Sequence, residues 1–87
     1  RARKVTLGTE LTINALRQGK VFLILLASDA SLNTIKKVTD KARTYQVEVV
    51  ADYPSEELSK AIGKRDIKTI GITDRGFSQL LMNQRRK

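Results

Sequence analysis

The chain contains neither cysteine nor histidine. Their absence removes disulfides, thiol nucleophiles, imidazole acid–base catalysis and the usual ligands of zinc and other transition metals. A cysteine-free domain suits a reducing compartment. Long apolar runs are also missing. The longest, Val21 to Ala27, has seven residues, where a membrane-spanning helix needs about 20. Its flanks are not those of a signal peptide, so the expected location is the cytoplasm, with no membrane partner. Aromatic residues make up only 5% of the chain. Phe22 and Phe77 read as core, while Tyr45 and Tyr53 are too isolated to form a base-stacking platform. No glycine-rich phosphate loop of the G-x-G-x-x-G or Walker type occurs.

What is abundant is positive charge. The net charge of +8 suggests a polyanionic partner, above all nucleic acid. Its distribution is uneven. Arg1, Arg3 and Lys4 at one end and Arg85, Arg86 and Lys87 at the other leave 11 Lys and Arg against nine Asp and Glu between them. The bland reading of the same charge is a basic, solubilising surface.

The 87 residues fit one compact domain, residues 1–87. From Thr9 to Arg17, Leu11, Ala15 and Leu16 recur at helical spacing, and Gly19 ends the pattern. Val21 to Ala27 reads as a strand covered on both faces, hence central in a sheet. Leu32, Ile35, Val38, Ala42 and Tyr45 form a second helical stripe, which Ser28, Asp29 or Ser31 can cap. Val47 to Ala51 is a second strand. Pro54 and Ser55 open a short helix with Glu56 and Glu57 in its first turn, with Leu58, Ala61 and Ile62 as its buried side and Gly63 as its stop. Thr69 to Thr73 is a third strand. Asp74 can cap a last helix that turns Phe77, Leu80 and Leu81 inward. The expected order is α-β-α-β-α-β-α, an α/β fold built as a three-layer α/β/α sandwich. Its sheet should be mainly parallel, with a possible short antiparallel edge strand around Lys4-Val5-Thr6.

Catalysis is hard to assemble from these residues. Without histidine no loop hydroxyl has an evident base. Asp29 and Asp74 each follow a strand, at the edge where open α/β sheets bind ligands, and a pair of acids there could hold magnesium. The simpler reading makes both of them helix caps. No cofactor, metal or catalytic residue is expected, and the chain reads as a non-enzyme.

For nucleic acid, three groups stand out. Lys36, Lys37, Lys41 and Arg43 read as the solvated face of the second helix or as phosphate contacts. Lys60, Lys64 and Arg65 bracket the Gly63 turn, where backbone and cations can jointly meet phosphate. Gly8-Thr9-Glu10 opens a helix, where free amides and a close-approach glycine suit an anion. A plain threonine cap with glutamate in the first turn fits the same residues.

Together, Gly8-Thr9, the helix ending at Gly19, the strand leading to Ala27-Ser28-Asp29-Ala30 and Leu58-x-x-Ala61-x-Gly63 resemble the large-subunit ribosomal protein seven-Ae and thirty-e superfamily of kink-turn RNA binders. The stretch SDASLNTIKKVTDKARTYQV is similar to the small bacterial branch, encoded beside a transcription elongation factor and a translation initiation factor. The resemblance covers nearly the whole chain. It implies the α/β/α sandwich and a non-enzymatic, RNA-binding, ribosome-associated role.

In those binders the first helix opens with Gly, any residue, Asn and Glu, with a Lys three positions later, and these polar residues read guanines. Here Gly8 is kept, but Glu10, Leu11 and Asn14 occupy the other positions. Ser28 stands where a Glu precedes the strand-end Asp, and Ser55 replaces a Lys ahead of Leu58. The charged Lys64-Arg65-Asp66 replaces an apolar loop. The resemblance therefore implies an RNA-facing surface of Gly8, Thr9, Glu10, Asn14, Arg17, Ser28, Ala30, Lys60, Lys64 and Arg65 with eroded base-reading chemistry. The expected partner is ribosomal or other structured RNA. A transcription or translation factor is the alternative, on a module that has lost RNA recognition.

Overall fold

The computed structural model describes residues 5–63, 65–76 and 79. Within them the chain forms β1 (Val5–Leu7), α1 (Thr9–Arg17), β2 (Leu23–Leu26), α2 (Leu32–Thr44), β3 (Glu48–Val50), α3 (Ser55–Ile62) and β4 (Thr69–Ile72). This is the expected α/β alternation, opened by the edge strand that the sequence hinted at. The expected last helix, with Phe77, Leu80 and Leu81, lies mostly outside the described residues.

Strand β2 is central, between β4 and β3, because its side chains have no polar face to give to water. Leu23, Ile24 and Leu26 are all buried. The sheet order is β1-β4-β2-β3. Only β2 and β3, joined through α2, run parallel, with Leu23 opposite Glu48. β4 is antiparallel to both of its neighbours, pairing Leu23 with Ile72 and Val5 with Ile72. The sheet is thus mixed rather than mainly parallel. A helix between two strands makes them parallel only if it carries the chain back across the sheet. The α3 connection does not: Ser28 N donates to Tyr53 O at 2.8 Å on its way out and Ala27 N to Lys68 O at 2.7 Å on its return. Both hydrogen bonds sit at the end where β2 finishes, so β4 starts from there.

Helices α1 and α2 pack side by side, α1 over β1 and β4 and α2 against β3. Gly71 permits the close approach of α1. The Thr6 and Thr12 hydroxyls bond to each other at 3.0 Å directly over it, and a Cβ there would stand 2.5 Å from Thr6 Oγ1 and 2.9 Å from Thr12 Cγ2. The helix ends behave as local chemistry directs. Gly19 takes φ 72°, and with Lys20 N on Ala15 O and Gly19 N on Leu16 O it closes α1 in a Schellman motif. Gly63 closes α3 in the left-handed region. Ser31 is the cap of α2, accepting from Thr34 N at 3.2 Å.

Several expected core positions face outward. Leu11 is 57% exposed and Leu32 85%, and Phe22, Tyr45 and Ala61 are exposed as well. In α1 the buried face is Thr12, Ile13, Ala15 and Leu16. A polar threonine carries one of these positions because its hydroxyl is satisfied by Thr6, which hides the face from a count of apolar residues.

Two stability outcomes follow. Gly71→Ala overpacks the α1–β4 contact and should cost about 1–3 kcal/mol in urea denaturation. Gln46 holds φ 59° in the same kind of motif that closes α2, with Val47 N on Ala42 O at 2.8 Å. Gln46→Gly should therefore raise stability by about 0.5–1 kcal/mol in the same assay.

Candidate functional site

One end of the sheet gathers most of the residues singled out by the sequence. β1, β2 and β3 finish there and β4 begins there, since Leu7 pairs with Ile70 and Leu26 with Thr69. Gly8 caps α1 at this end. Its backbone sits at φ 103°, ψ 154°, a region essentially closed to other residues. Gly8 N donates to Thr69 O at 2.8 Å. A Cβ at Gly8 would meet nothing within 4 Å, so the conformation, and not crowding within the protein, requires glycine. The open space in front of it leaves the first turn of α1 accessible. Thr9 is not the cap: its hydroxyl bonds the Thr69 hydroxyl at 2.9 Å, locking the helix start to β4.

Glu10, Leu11, Asn14 and Arg17 share the exposed face of α1. Glu10 crosses to α2 and accepts from Lys37 Nζ at 3.1 Å, beside a shallow groove lined by Thr9, Asn33 and Thr34. Arg17 is in the last turn of the helix, about 12 Å along the axis from Thr9, at the opposite end of the sheet. Of the β2–α2 loop, Ser28 is exposed, whereas the Ala30 side chain is buried in the core and its amide donates to Ala27 O.

Asp29 is the fastening of this end. It does not cap its own helix, which Ser31 caps. Its carboxylate accepts from Ser55 N at 2.8 Å and from Ser55 Oγ at 2.9 Å, supplying the acceptor that Pro54, the N-cap of α3, cannot. Lys68 Nζ in turn donates to Ser55 Oγ at 3.1 Å. The Ser55 amide, then its hydroxyl, and the nearby Lys68 ammonium hold the Asp29 carboxyl below its ordinary value. Asp74 follows β4, which runs opposite to β2, so the two aspartates stand at opposite ends of strands about 13 Å long. They cannot share a metal ion.

Lys60 and Arg65 are exposed and line a second shallow groove with Ser55, Glu56, Ser59 and Asp66. Lys64 lies outside the described residues. Ser59 Oγ accepts from Ile67 N at 2.8 Å and fixes the return of this loop. Sequence reasoning missed Lys68 and the Glu10–Lys37 pair. Nothing local signals either contact, because their partners lie 13 and 27 residues away.

A family model described as Ribosomal protein L7Ae/L30e/S12e/Gadd45 matches residues 1–82. The chain belongs to the L7Ae/L30e/S12e/Gadd45 family. Within it, the chain is 41% identical over 83 residues to an RNA-binding protein, YlxQ, of Bacillus subtilis, covering 95% of this chain and 83% of that protein. It is 42% identical over 79 residues to YlxQ of Enterococcus faecium, covering 91% and 76%. Among solved structures, a Bacillus halodurans protein of unknown function superposes with a TM-score of 0.89 at 40% identity, over 95% of this chain and 84% of that one. A Giardia lamblia 15.5kD RNA binding protein superposes with a TM-score of 0.75 over 83% of this chain and 62% of its own, and at 16% identity it shares the fold. The named relatives YlxQ are RNA-binding proteins.

The Asp29 fastening gives an acid-sensitive fold. The folded-state pKa lies below the unfolded value of about 3.9, so the stabilisation is complete above about pH 4 and is lost as pH falls through the folded value. Urea midpoints measured at neutral and acid pH should converge for Asp29→Asn relative to the parent protein.

Proposed function

We propose that this protein is a non-enzymatic RNA-binding protein of the ribosome-associated type, whose kink-turn-reading residues are eroded. The observation that carries the reading is the Gly8 backbone. A conformation available only to glycine opens α1 into free space, at the same end of the sheet as Ser28 and the connection bearing Lys60 and Arg65. Its relatives' names support RNA as the ligand class.

Base reading there is weak on chemical grounds. Glu10 is an acid facing phosphate, and its carboxylate is engaged by Lys37. Leu11 has no hydrogen-bonding group, and Asn14 has no charge. Each lost base contact costs on the order of 1–3 kcal/mol, by analogy with DNA readout, while charge-driven affinity persists. Ser55 stands where the resemblance implies a lysine, but Lys68 brings an ammonium to it from the other side of the loop.

A second reading, a protein-docking module that docks onto a transcription or translation factor, is favoured by Leu11, which is apolar and exposed on the face that would meet RNA. One experiment separates the two. The chain is titrated with a kink-turn RNA and with a duplex of equal length over a range of salt. The RNA reading expects both to bind at low salt with similar affinity, and fails if neither does. Replacing Glu10→Asn, Leu11→Glu and Asn14→Lys together should raise kink-turn affinity by roughly ten- to a hundredfold. No gain favours a different partner or a different site.

A further inference from the structure

The two ends of the sheet carry opposite charge. Residues 8–10, 27–31 and 51–68, the connections gathered at the Gly8 end, hold six of the nine acids: Glu10, Asp29, Asp52, Glu56, Glu57 and Asp66. Among the described residues, Lys60, Arg65 and Lys68 of these connections and Lys37 of α2, paired with Glu10, oppose them. At the other end, Arg17 and Lys20 leave α1, Arg43 leaves α2 and Arg75 follows β4, with Glu48 and Asp74 as the acids. A polyanion is drawn to this second end by the longer-range field.

This end also carries the aromatic rings that the sequence reading discounted. Leu23 pairs with Glu48 on one side and with Ile72 on the other, so the entries of β2 and β3 and the exit of β4 lie side by side. Phe22, 39% exposed, precedes β2, and Tyr45, 42% exposed, ends α2. They are far apart in sequence and are brought to one end by the parallel β2–α2–β3 unit. The Arg75 guanidinium stands 5.3 Å over the Phe22 ring. Helix dipoles account for cations at Arg17 and Arg43. They do not account for Lys20 and Arg75 outside those helix ends, nor for two exposed rings among the cations.

We infer that the end formed by Arg17, Lys20, Phe22, Arg43, Tyr45 and Arg75 is a second nucleic-acid surface, taking single-stranded RNA. Unpaired bases stack on Tyr45 and on the Phe22–Arg75 pair while the backbone follows the cations. A duplex keeps its base faces hidden and gains only the charge contacts. The inference rests on the RNA-binding reading and adds a face that the Gly8 end does not include.

The test uses the full chain and an end-labelled oligouridylate too short to fold back, titrated over a range of salt. The parent protein should bind it, more weakly as salt rises. Tyr45→Ala should weaken binding roughly tenfold, and Tyr45→Phe should retain it. Arg17→Gln with Arg43→Gln should reduce the salt slope by about 1.4, the value for two single-strand phosphate contacts. Lys36→Gln with Lys37→Gln, an equal loss of charge toward the Gly8 end of α2, should leave that slope unchanged. The inference is overturned if the oligouridylate does not bind, or if the Lys36 and Lys37 pair costs as much as the Arg17 and Arg43 pair. It is equally overturned if Tyr45→Ala changes self-association and not RNA affinity, which assigns the face to protein. Kink-turn RNA binding without oligouridylate binding rejects this face and keeps the RNA-binding reading, whereas failure of the kink-turn RNA, the duplex and the oligouridylate rejects both.

Discussion

Strand β4 lies between β1 and β2 and runs against both, and the layout of the molecule depends on that direction. It makes one end of the sheet the meeting place of Gly8, Asp29, Ser55 and Lys68. It sends Asp74 and Arg75 to the other end, beside Phe22. Had β4 run parallel to β2, Asp29 and Asp74 would share an edge and an acid pair for metal chemistry would be credible. The placement of β4 under α1 in turn needs Gly71, because the bonded hydroxyls of Thr6 and Thr12 occupy the space of a side chain.

The Gly8 end is held together by polar contacts made across long stretches of chain. Asp29 fastens α3, Thr69 fastens the start of α1, and Ser59 fastens the return to β4. Every buried side-chain polar atom among the described residues has a partner, as a small core requires, since an unmet buried group costs about 1–3 kcal/mol. These contacts fix the loops in position without using Leu11 or Asn14, while Glu10 ties α1 to α2 through Lys37.

Much of this was legible beforehand. The start and stop of α1, the central burial of β2 and the Gly63 stop all came from residues within a few positions of one another, whereas Ser31 was one of three caps the sequence allowed for α2. The inward faces were read less well. Leu32 is the first residue of α2, on the exposed rim before the helix meets the sheet, and so a helical stripe overstated its burial. Leu11 belongs to the stripe of Glu10 and Asn14, whereas Thr12 took the buried place through a hydroxyl partner on β1. Apolar periodicity in a helix of nine residues samples too few turns to choose between two adjacent faces.

The sequence by itself determined helix ends, strand positions and the side-chain types offered at Glu10, Leu11 and Asn14, because these follow from local backbone preferences and composition. Only the tertiary structure decided the direction of β4, the partner of Asp29 and the collection of Phe22, Tyr45 and the arginines at one end. A strand's own residues favour parallel and antiparallel pairing almost equally. The choice was made by hydrogen bonds across the α3 connection, between residues far apart in the chain.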